Sequence, residues 1–427
     1  MHTVAIIGLG YVGLPLFCLI ADTPGYRCFG VDIDKEKLNL IQSRKLTFND
    51  ELVKNFYHNH KYPLSLTAKA EEIVLESEII IICVPTPVDA ESNPDFSPLI
   101  SATKSIVPAL KKGHLVIIES TIYPGSTEEI VLPILEKSGL KGGKDFFIAH
   151  CPERIDPGNK VWNLRNIPRV CGALSPKGLK LTVDFYKSIL EAEIVPLSSL
   201  KAAEACKVIE NSFRDINIAF VNELAMSFDK MGIDVFEVIN GASTKPFAFM
   251  PHYPGAGVGG HCIPVDPYYL IKKAADLGFD HEFLKTARKI NNLMPYYCVE
   301  LLDELITESK CSKSHQTVGL MGIAFKKNID DIRNSPYFII KEELESKGYS
   351  VFSFDPNVVH ISTVVSLEEL FEKSSFLILI TDHKEFQLIS PQILKKNDII
   401  GIVDGRNVLD KEKIKKEKIL YRGIGRR

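Results

Sequence analysis

Paired cysteines are missing from this 427-residue chain: its nine cysteines, at positions 18, 28, 83, 151, 171, 206, 262, 298 and 311, show no framework spacing and no C-x-x-C. That excludes a disulfide scaffold and suits a reduced compartment. No apolar stretch reaches about 18 residues, so no membrane-spanning helix is expected. The first residues enter an apolar strand pattern directly, with no basic segment and cleavage site before it. A secretory leader is therefore not expected, and the expected location is cytoplasmic. Charge of one sign is also scarce: the net charge of -3 gives no electrostatic reason for nucleic acid or an anionic membrane as partner. The one local bias, the basic tail from Lys411 to Arg427, reads as a solvated terminus.

What remains is an ordinary globular composition, 45% hydrophobic and 25% charged. The length exceeds what one hydrophobic core usually organises, so two or three domains are expected.

The N-terminal third alternates strands and helices. Thr3-Val-Ala-Ile-Ile7 is an apolar run of the buried parallel-strand type, followed by Gly8-Leu-Gly10-Tyr11-Val12-Gly13 and an apolar helix from Leu14 to Ala21. A second strand, Cys28-Phe-Gly-Val-Asp32, ends in an acid 19 residues after Gly13. Strand, glycine turn, helix and acid together make a dinucleotide-binding fingerprint, with the pyrophosphate on the helix amides and Gly8 and Gly10 allowing close approach. Asp32 is placed to accept from the adenosine ribose, and its charge would repel a 2′-phosphate, so NAD is favoured over NADP. Lys37, one turn later, is either a further cofactor contact or a surface lysine.

Further strands are expected at 79–84, 115–120 and 146–149, with Pro85-Thr86-Pro87, Ser120-Thr121 and Cys151-Pro-Glu153-Arg154 at their carboxyl ends. Ligands bind outside those ends in an open parallel sheet, so Thr86, Thr121 and Glu153 become site candidates, though each also suits a turn or cap. From Ser199 to about Met231 there is neither glycine nor proline, which predicts one long helix suited to a connector or a dimer interface. Lys207, Asn211 and Arg214 share one of its faces. The neighbouring Ile209, Phe213, Ile216 and Phe220 predict a helix that is mostly buried, making the polar stripe costly unless partnered.

A second alternation follows at 317–322, 349–354, 376–380 and 399–403, with Lys326, Asp355, Asp382 and Asp404-Gly-Arg406 after its strands. The economical reading is a second doubly wound domain without the glycine fingerprint, holding another nucleotide-like ligand. Between the two lies Gly257-Val-Gly259-Gly-His-Cys262-Ile-Pro-Val-Asp266, a glycine-rich turn with a cysteine four residues before a carboxylate. Either the cysteine is packed in a core or it is a displayed nucleophile.

In this order, the glycine fingerprint, Pro85-Thr86-Pro87, Pro152-Glu153-Arg154, Lys207-x-x-x-Asn211, the cysteine turn and Gly322-Ile-Ala-Phe-Lys326 resemble the nucleotide-sugar 6-dehydrogenases, over nearly the whole chain. The resemblance implies an α/β protein: two doubly wound Rossmann-like domains joined by a long central helix and helical dimerisation region. It implies an NAD-binding domain at 1–197, a central domain with the cysteine loop at 198–312, and a UDP-sugar-binding domain at 313–427. The implied assembly is a homodimer or higher homo-oligomer. The implied reaction is a four-electron oxidation of a sugar C6 alcohol to a carboxylate with two NAD, through a thiohemiacetal and a thioester on Cys262, serving surface polysaccharide precursors.

Carried over by position, Lys207 and Asn211 resemble the oxyanion-stabilising pair, Asp266 the carboxylate acting with Lys207 on a water, Glu153 the base for thioester hydrolysis, and Thr121 the threonine that positions the water. Gly8, Gly10, Tyr11, Val12, Gly13, Asp32, Lys37, Pro85, Thr86, Thr121 and Arg333 are implied on the cofactor side. Glu153, Arg154, Lys207, Asn211, Arg214, Phe249, His252, Tyr253, Gly257, Gly259 and Lys326 are implied on the substrate side. Glucose-type members read Asn-Pro-Glu-Phe where this chain reads Cys151-Pro-Glu-Arg154, and Glu210 to Phe220 with Pro251-His-Tyr-Pro254 look like the N-acetylhexosamine branch. UDP-N-acetylglucosamine is the first expected substrate, then the manno or galacto epimer or UDP-glucose. The competing classes are a one-step hydroxy-acid dehydrogenase, which has no use for Cys262, and an NAD-binding sensor. Zinc on His252, His261, Cys262 and Asp266 is disfavoured, because adjacent His and Cys do not match usual ligand spacing.

Overall fold

The computed structural model describes every residue except 49, 61, 90, 156–158, 160 and 311–315. The expected boundary at 312/313 lies outside the described residues. The chain divides into two compact units, Met1–Glu210 with Tyr268–Asp280, and Asn211–Pro267 with His281–Arg427.

The first unit is built on eight strands: β1 (His2–Ile7), β2 (Tyr26–Val31), β3 (Ser65–Thr67), β4 (Ile79–Ile82), β5 (Leu115–Ile118), β6 (Phe147–His150), β7 (Arg169–Ala173) and β8 (Ile194–Pro196). Their order is β3-β2-β1-β4-β5-β6-β7-β8, parallel except between β6 and β7. The first six positions are those of a doubly wound dinucleotide fold, whose switch point lies between β1 and β4. Central strands such as Ile79-Ile-Ile-Ile82 are apolar at every position because helices cover both faces of the sheet. One continuous core includes Val4, Ile6, Phe17, Ile81, Ile117 and Ala149.

The second unit holds β9 (Thr317–Met321), β10 (Ser350–Phe354), β11 (Phe376–Leu379), β12 (Gly401–Asp404) and β13 (Leu420–Gly423), all parallel, in the order β10-β9-β11-β12-β13. Its order reverses between β9 and β11, so its ligand position is outside the ends of those two strands. The expected α/β class with two doubly wound sheets is the class observed. Strands β3, β7, β8 and β13 were not anticipated; the first and third have only three residues each.

Two expectations need correcting. The basic C-terminus is not a solvated tail: Arg427 pairs with Asp229 at 2.6 Å, and Lys411 and Arg426 converge on Asp234 at 3.1 and 2.9 Å. The acids that neutralise it lie nearly 200 residues earlier, and their proximity is a product of the fold. The glycine-free stretch is indeed one helix, Leu200–Met231, with Lys207 and Asn211 of its polar stripe buried, but its apolar set is not buried with them. Ile209, Phe213 and Phe220 are 49 to 55% exposed, whereas Glu204, Lys207, Asn211, Asp215, Asn222 and Asp229 are buried. The inward face is polar because several of its groups find specific partners there. Asp215 accepts from Arg288 at 2.6 Å and from Asn291 at 2.8 Å, and Asn222 donates to Asn291 at 2.9 Å. Arg214 is exposed.

Candidate functional site

In the first unit the fingerprint forms the turn from β1 into the helix Gly13–Ala21. Gly8 has φ +95°, a conformation costly for other residues, and a β-carbon at Gly13 would sit 1.8 Å from the Gly8 carbonyl oxygen. At Gly10 a β-carbon would meet no described atom within 4 Å, so packing does not require its glycine. Asp32, just past β2, accepts from Leu9 N–H at 2.9 Å and from the Lys37 ammonium at 2.9 Å. Lys37 is thus tied to the acid that was expected to bind the ribose. Tyr11 is stacked on Phe48 at 4.2 Å, and Val12 is half-buried against the core. A glycine cradle, helix amides and a neighbouring acid fit the dinucleotide.

The ends of β4, β5 and β6 bring further candidates together. Thr86 Oγ1 donates to the Thr121 carbonyl at 2.6 Å, while the Thr86 carbonyl accepts from the buried Tyr269 hydroxyl. Pro85 beside it is exposed. Glu153 follows β6, is buried, and accepts from its neighbour Ile155 N–H. Burial raises its carboxyl above the usual range, with Lys207 and Arg169 acting in the opposite direction. Arg154 does not stand open: Glu210 grips its guanidinium at 2.6 and 3.2 Å, and it donates to the Pro168 carbonyl at 2.8 Å.

Two features here were missed by the sequence reading. Glu204, on the same turn of the helix as Lys207, accepts from Gly125 N–H and from Thr127 N–H at 2.8 Å, so it anchors the segment after β5. Beneath the strand ends, fully buried Arg169 meets Glu119 at 2.9 Å, and Tyr186 donates to the same carboxylate. These charges sit inside strands and helices that read as apolar, and only their buried pairing marks them out.

In the second unit the cysteine turn is pinned along its length. Gly255 N–H donates to Asn222 at 3.0 Å, Ala256 N–H to the Gly405 carbonyl at 3.0 Å, and Gly260 N–H to the Arg333 carbonyl at 2.9 Å. Gly257 has φ +137°, and a β-carbon at Gly259 would meet the Asn334 carbonyl oxygen at 2.9 Å. Cys262 is half-buried, and its carbonyl accepts from Val265 and Asp266 N–H at 3.1 and 2.8 Å, closing a turn that leads into the helix Asp266–Asp276. Asn211 Nδ2 donates to Asp266 Oδ2 at 2.5 Å, with both residues buried. The turn bearing the thiol is therefore hydrogen-bonded to the backbone amide of Asp266, the residue whose carboxylate Asn211 holds.

Of the remaining candidates, His252 contacts the Met250 carbonyl at 3.0 Å and lies edge-on to Phe213. Tyr253 donates to Asn240 at 2.9 Å, and Phe249 packs on the core. Arg333 turns its guanidinium to Asp331 at 2.5 Å. Lys326 is half-buried, two residues beyond Ala324 on the segment after β9.

Residues 2–190, 201–293 and 319–411 match, in turn, the NAD binding, central and UDP binding domains of the UDP-glucose/GDP-mannose dehydrogenase family. The chain is 41% identical over 355 residues to a UDP-N-acetyl-D-glucosamine 6-dehydrogenase of Pseudomonas aeruginosa, covering 83% of this chain and 82% of that one. It is 36% identical over 428 residues to a UDP-N-acetyl-D-mannosamine dehydrogenase of Pyrococcus horikoshii, covering 99% of each. A solved structure of a UDP-ManNAc dehydrogenase from Pyrococcus horikoshii superposes with a TM-score of 0.91 at 35% identity over 99% of both chains. Among the described residues no helix is long and apolar enough to cross a membrane. The fingerprint, the pinned cysteine turn and the two switch-point sheets thus have one common account: the chain belongs to the UDP-glucose/GDP-mannose dehydrogenase family and is an NAD-dependent oxidoreductase.

Proposed function

We propose that the protein oxidises the C6 alcohol of a UDP-N-acetylhexosamine, UDP-N-acetylglucosamine first, to the uronic acid through a covalent intermediate on Cys262. The observation that carries this reading is the Cys262 turn bound to Asp266 and, through it, to Asn211. When bound, NAD accepts the hydride removed in each of the two oxidations. The first oxidation leaves an aldehyde; the Cys262 thiolate adds to its carbonyl carbon, giving a thiohemiacetal that keeps the sugar from escaping. Loss of the second hydride from that carbon leaves a thioester. Water then adds, the C–S bond breaks, and the acid leaves as the thiol is restored.

Lys207 supplies the positive charge that favours the thiolate, and with Asn211 it stabilises the oxyanions. Glu153 takes the proton of the attacking water, which Thr121 and Asp266 help to place. A carboxyl raised by burial is a stronger base when ionised. Gly8, Gly10, Gly13, Asp32 and Lys37 hold NAD, with Tyr11, Val12, Pro85, Thr86 and Arg333 also on the cofactor side. Arg154, Phe249, His252, Tyr253, Gly257 and Lys326 take the sugar nucleotide.

We further propose three functional parts, 1–197, 198–312 and 313–427, and a homodimer formed through the exposed Ile209, Phe213 and Phe220 of the long helix. UDP-N-acetylmannosamine is the second reading, favoured by the relative that aligns over 99% of both chains. A panel of UDP-sugars assayed for NADH release decides between them. Faster turnover of the manno epimer would replace the first reading with the second, and no turnover of any UDP-hexose would refute both.

A further inference from the structure

The two sheets repeat one device at corresponding positions, and in the second unit it is closed off. After β1, Gly8 (φ +95°) turns the chain so that Leu9 N–H reaches Asp32 beyond β2 at 2.9 Å. After β9, Gly322 (φ +101°) does the same, and Ile323 and Ala324 N–H reach Oδ2 of Asp355 beyond β10 at 2.7 and 2.8 Å. A β-carbon at Gly322 would sit 2.5 Å from Thr381 Cβ, so the turn tolerates nothing larger. This turn lies at the switch point of the second sheet, where a ligand is expected.

The units differ in what else the acid meets. Asp32 takes the Lys37 ammonium, whereas Asp355 takes Nε2 of His383 at 3.0 Å, with both side chains wholly buried. His383 Nδ1 accepts from Asn328 N–H at 2.9 Å, so the proton sits on Nε2, which donates to Asp355. Thr381 Oγ1 donates to the Ala324 carbonyl at 2.5 Å. The segment from Gly322 to Asn328 is thereby held at four backbone groups by residues from the ends of β10 and β11. Burial works against the Asp355 charge, yet the hydrogen bonds from His383 and the two amides hold its carboxyl below the usual range. A fully buried acid is a poor way to gain stability alone, since well-packed apolar residues serve as well. Its return is the fixed path of the segment.

We propose that Asp355 and His383 are positioning residues for the uridine nucleotide: they set the shape of the Gly322–Asn328 segment that bears Lys326. The proposal rests on the second unit being the UDP-binding part of the chain.

Calorimetric titration of the full-length protein with UDP, and separately with NAD, tests it. Asp355→Ala and His383→Ala are each expected to weaken UDP roughly tenfold or more, while NAD affinity stays within about twofold. Asp355→Asn, which keeps an oxygen for the two amides, recovers most of the loss. In turnover, KM for the UDP-sugar rises by a larger factor than kcat falls. A merely stabilising pair predicts a lower Tm with unchanged UDP affinity in both alanine variants, and that result overturns the proposal. If an alanine variant does not fold, His383→Gln carries the same comparison. Wild-type protein that fails to bind UDP would instead remove the underlying reading, and the proposal with it.

Discussion

If Glu153 is the base proposed above, its buried side chain sets the working range of pH. Its base form is lost as pH falls through a pKa that burial has raised, so the acidic limb of kcat is expected above the usual glutamate range of about 4.3. Glu153→Gln is expected to remove that limb and leave a thioester on Cys262 detectable by mass spectrometry of the denatured protein. A limb that persists in the variant assigns it to another group. Asp32 makes a simpler case. Asp32→Ala strands the Lys37 ammonium and removes the ribose acceptor, so NAD is expected to bind about tenfold or more weakly with sugar affinity unchanged. Equal losses for both ligands would deny the ribose role. Residues such as these were legible in the sequence because their chemistry depends on a short local pattern: strand, glycine turn, helix, acid. Arg154 was legible as a motif member, but its capture by Glu210 spans 56 residues and has no local signature.

At the scale of elements, the same contrast explains what was missed. The central strands announced themselves through unbroken apolar runs, whereas β3 and β8 are too short to carry a pattern. The long helix was legible as a helix from its lack of glycine and proline, but only partly in its orientation. The buried, partnered polar row was legible at Lys207 and Asn211, but the exposure of Ile209, Phe213 and Phe220 was not, and the partners of the row, Asp266, Arg288 and Asn291, come from later in the chain. Arg169 on β7 is the extreme case, a charge wholly inside a sheet. Removing it in Arg169→Met strands Glu119 and is expected to cost about 3 to 5 kcal/mol, seen as a lower calorimetric transition. The double variant with Glu119→Leu is expected to recover much of that loss. A single variant as stable as wild type would show the pair to be dispensable.

Across the whole molecule, two doubly wound sheets give two switch points, and family membership gives each a nucleotide. The exposed stripe of Ile209, Phe213 and Phe220 is the surface proposed above for a second copy. Phe213→Asp is expected to shift the protein to monomers in sedimentation velocity; an unchanged distribution would place the interface elsewhere. The central claim concerns electrons. A cysteine relay exists to carry one sugar through two oxidations without release, which a one-step dehydrogenase does not need. The most direct measurement is the number of NADH formed per UDP-N-acetylhexosamine consumed, with sugar limiting and NAD in excess. The account predicts two, with the uronic acid as product and none of that acid from Cys262→Ala; one NADH per sugar with the aldehyde as product, or wild-type acid formation by Cys262→Ala, would contradict it.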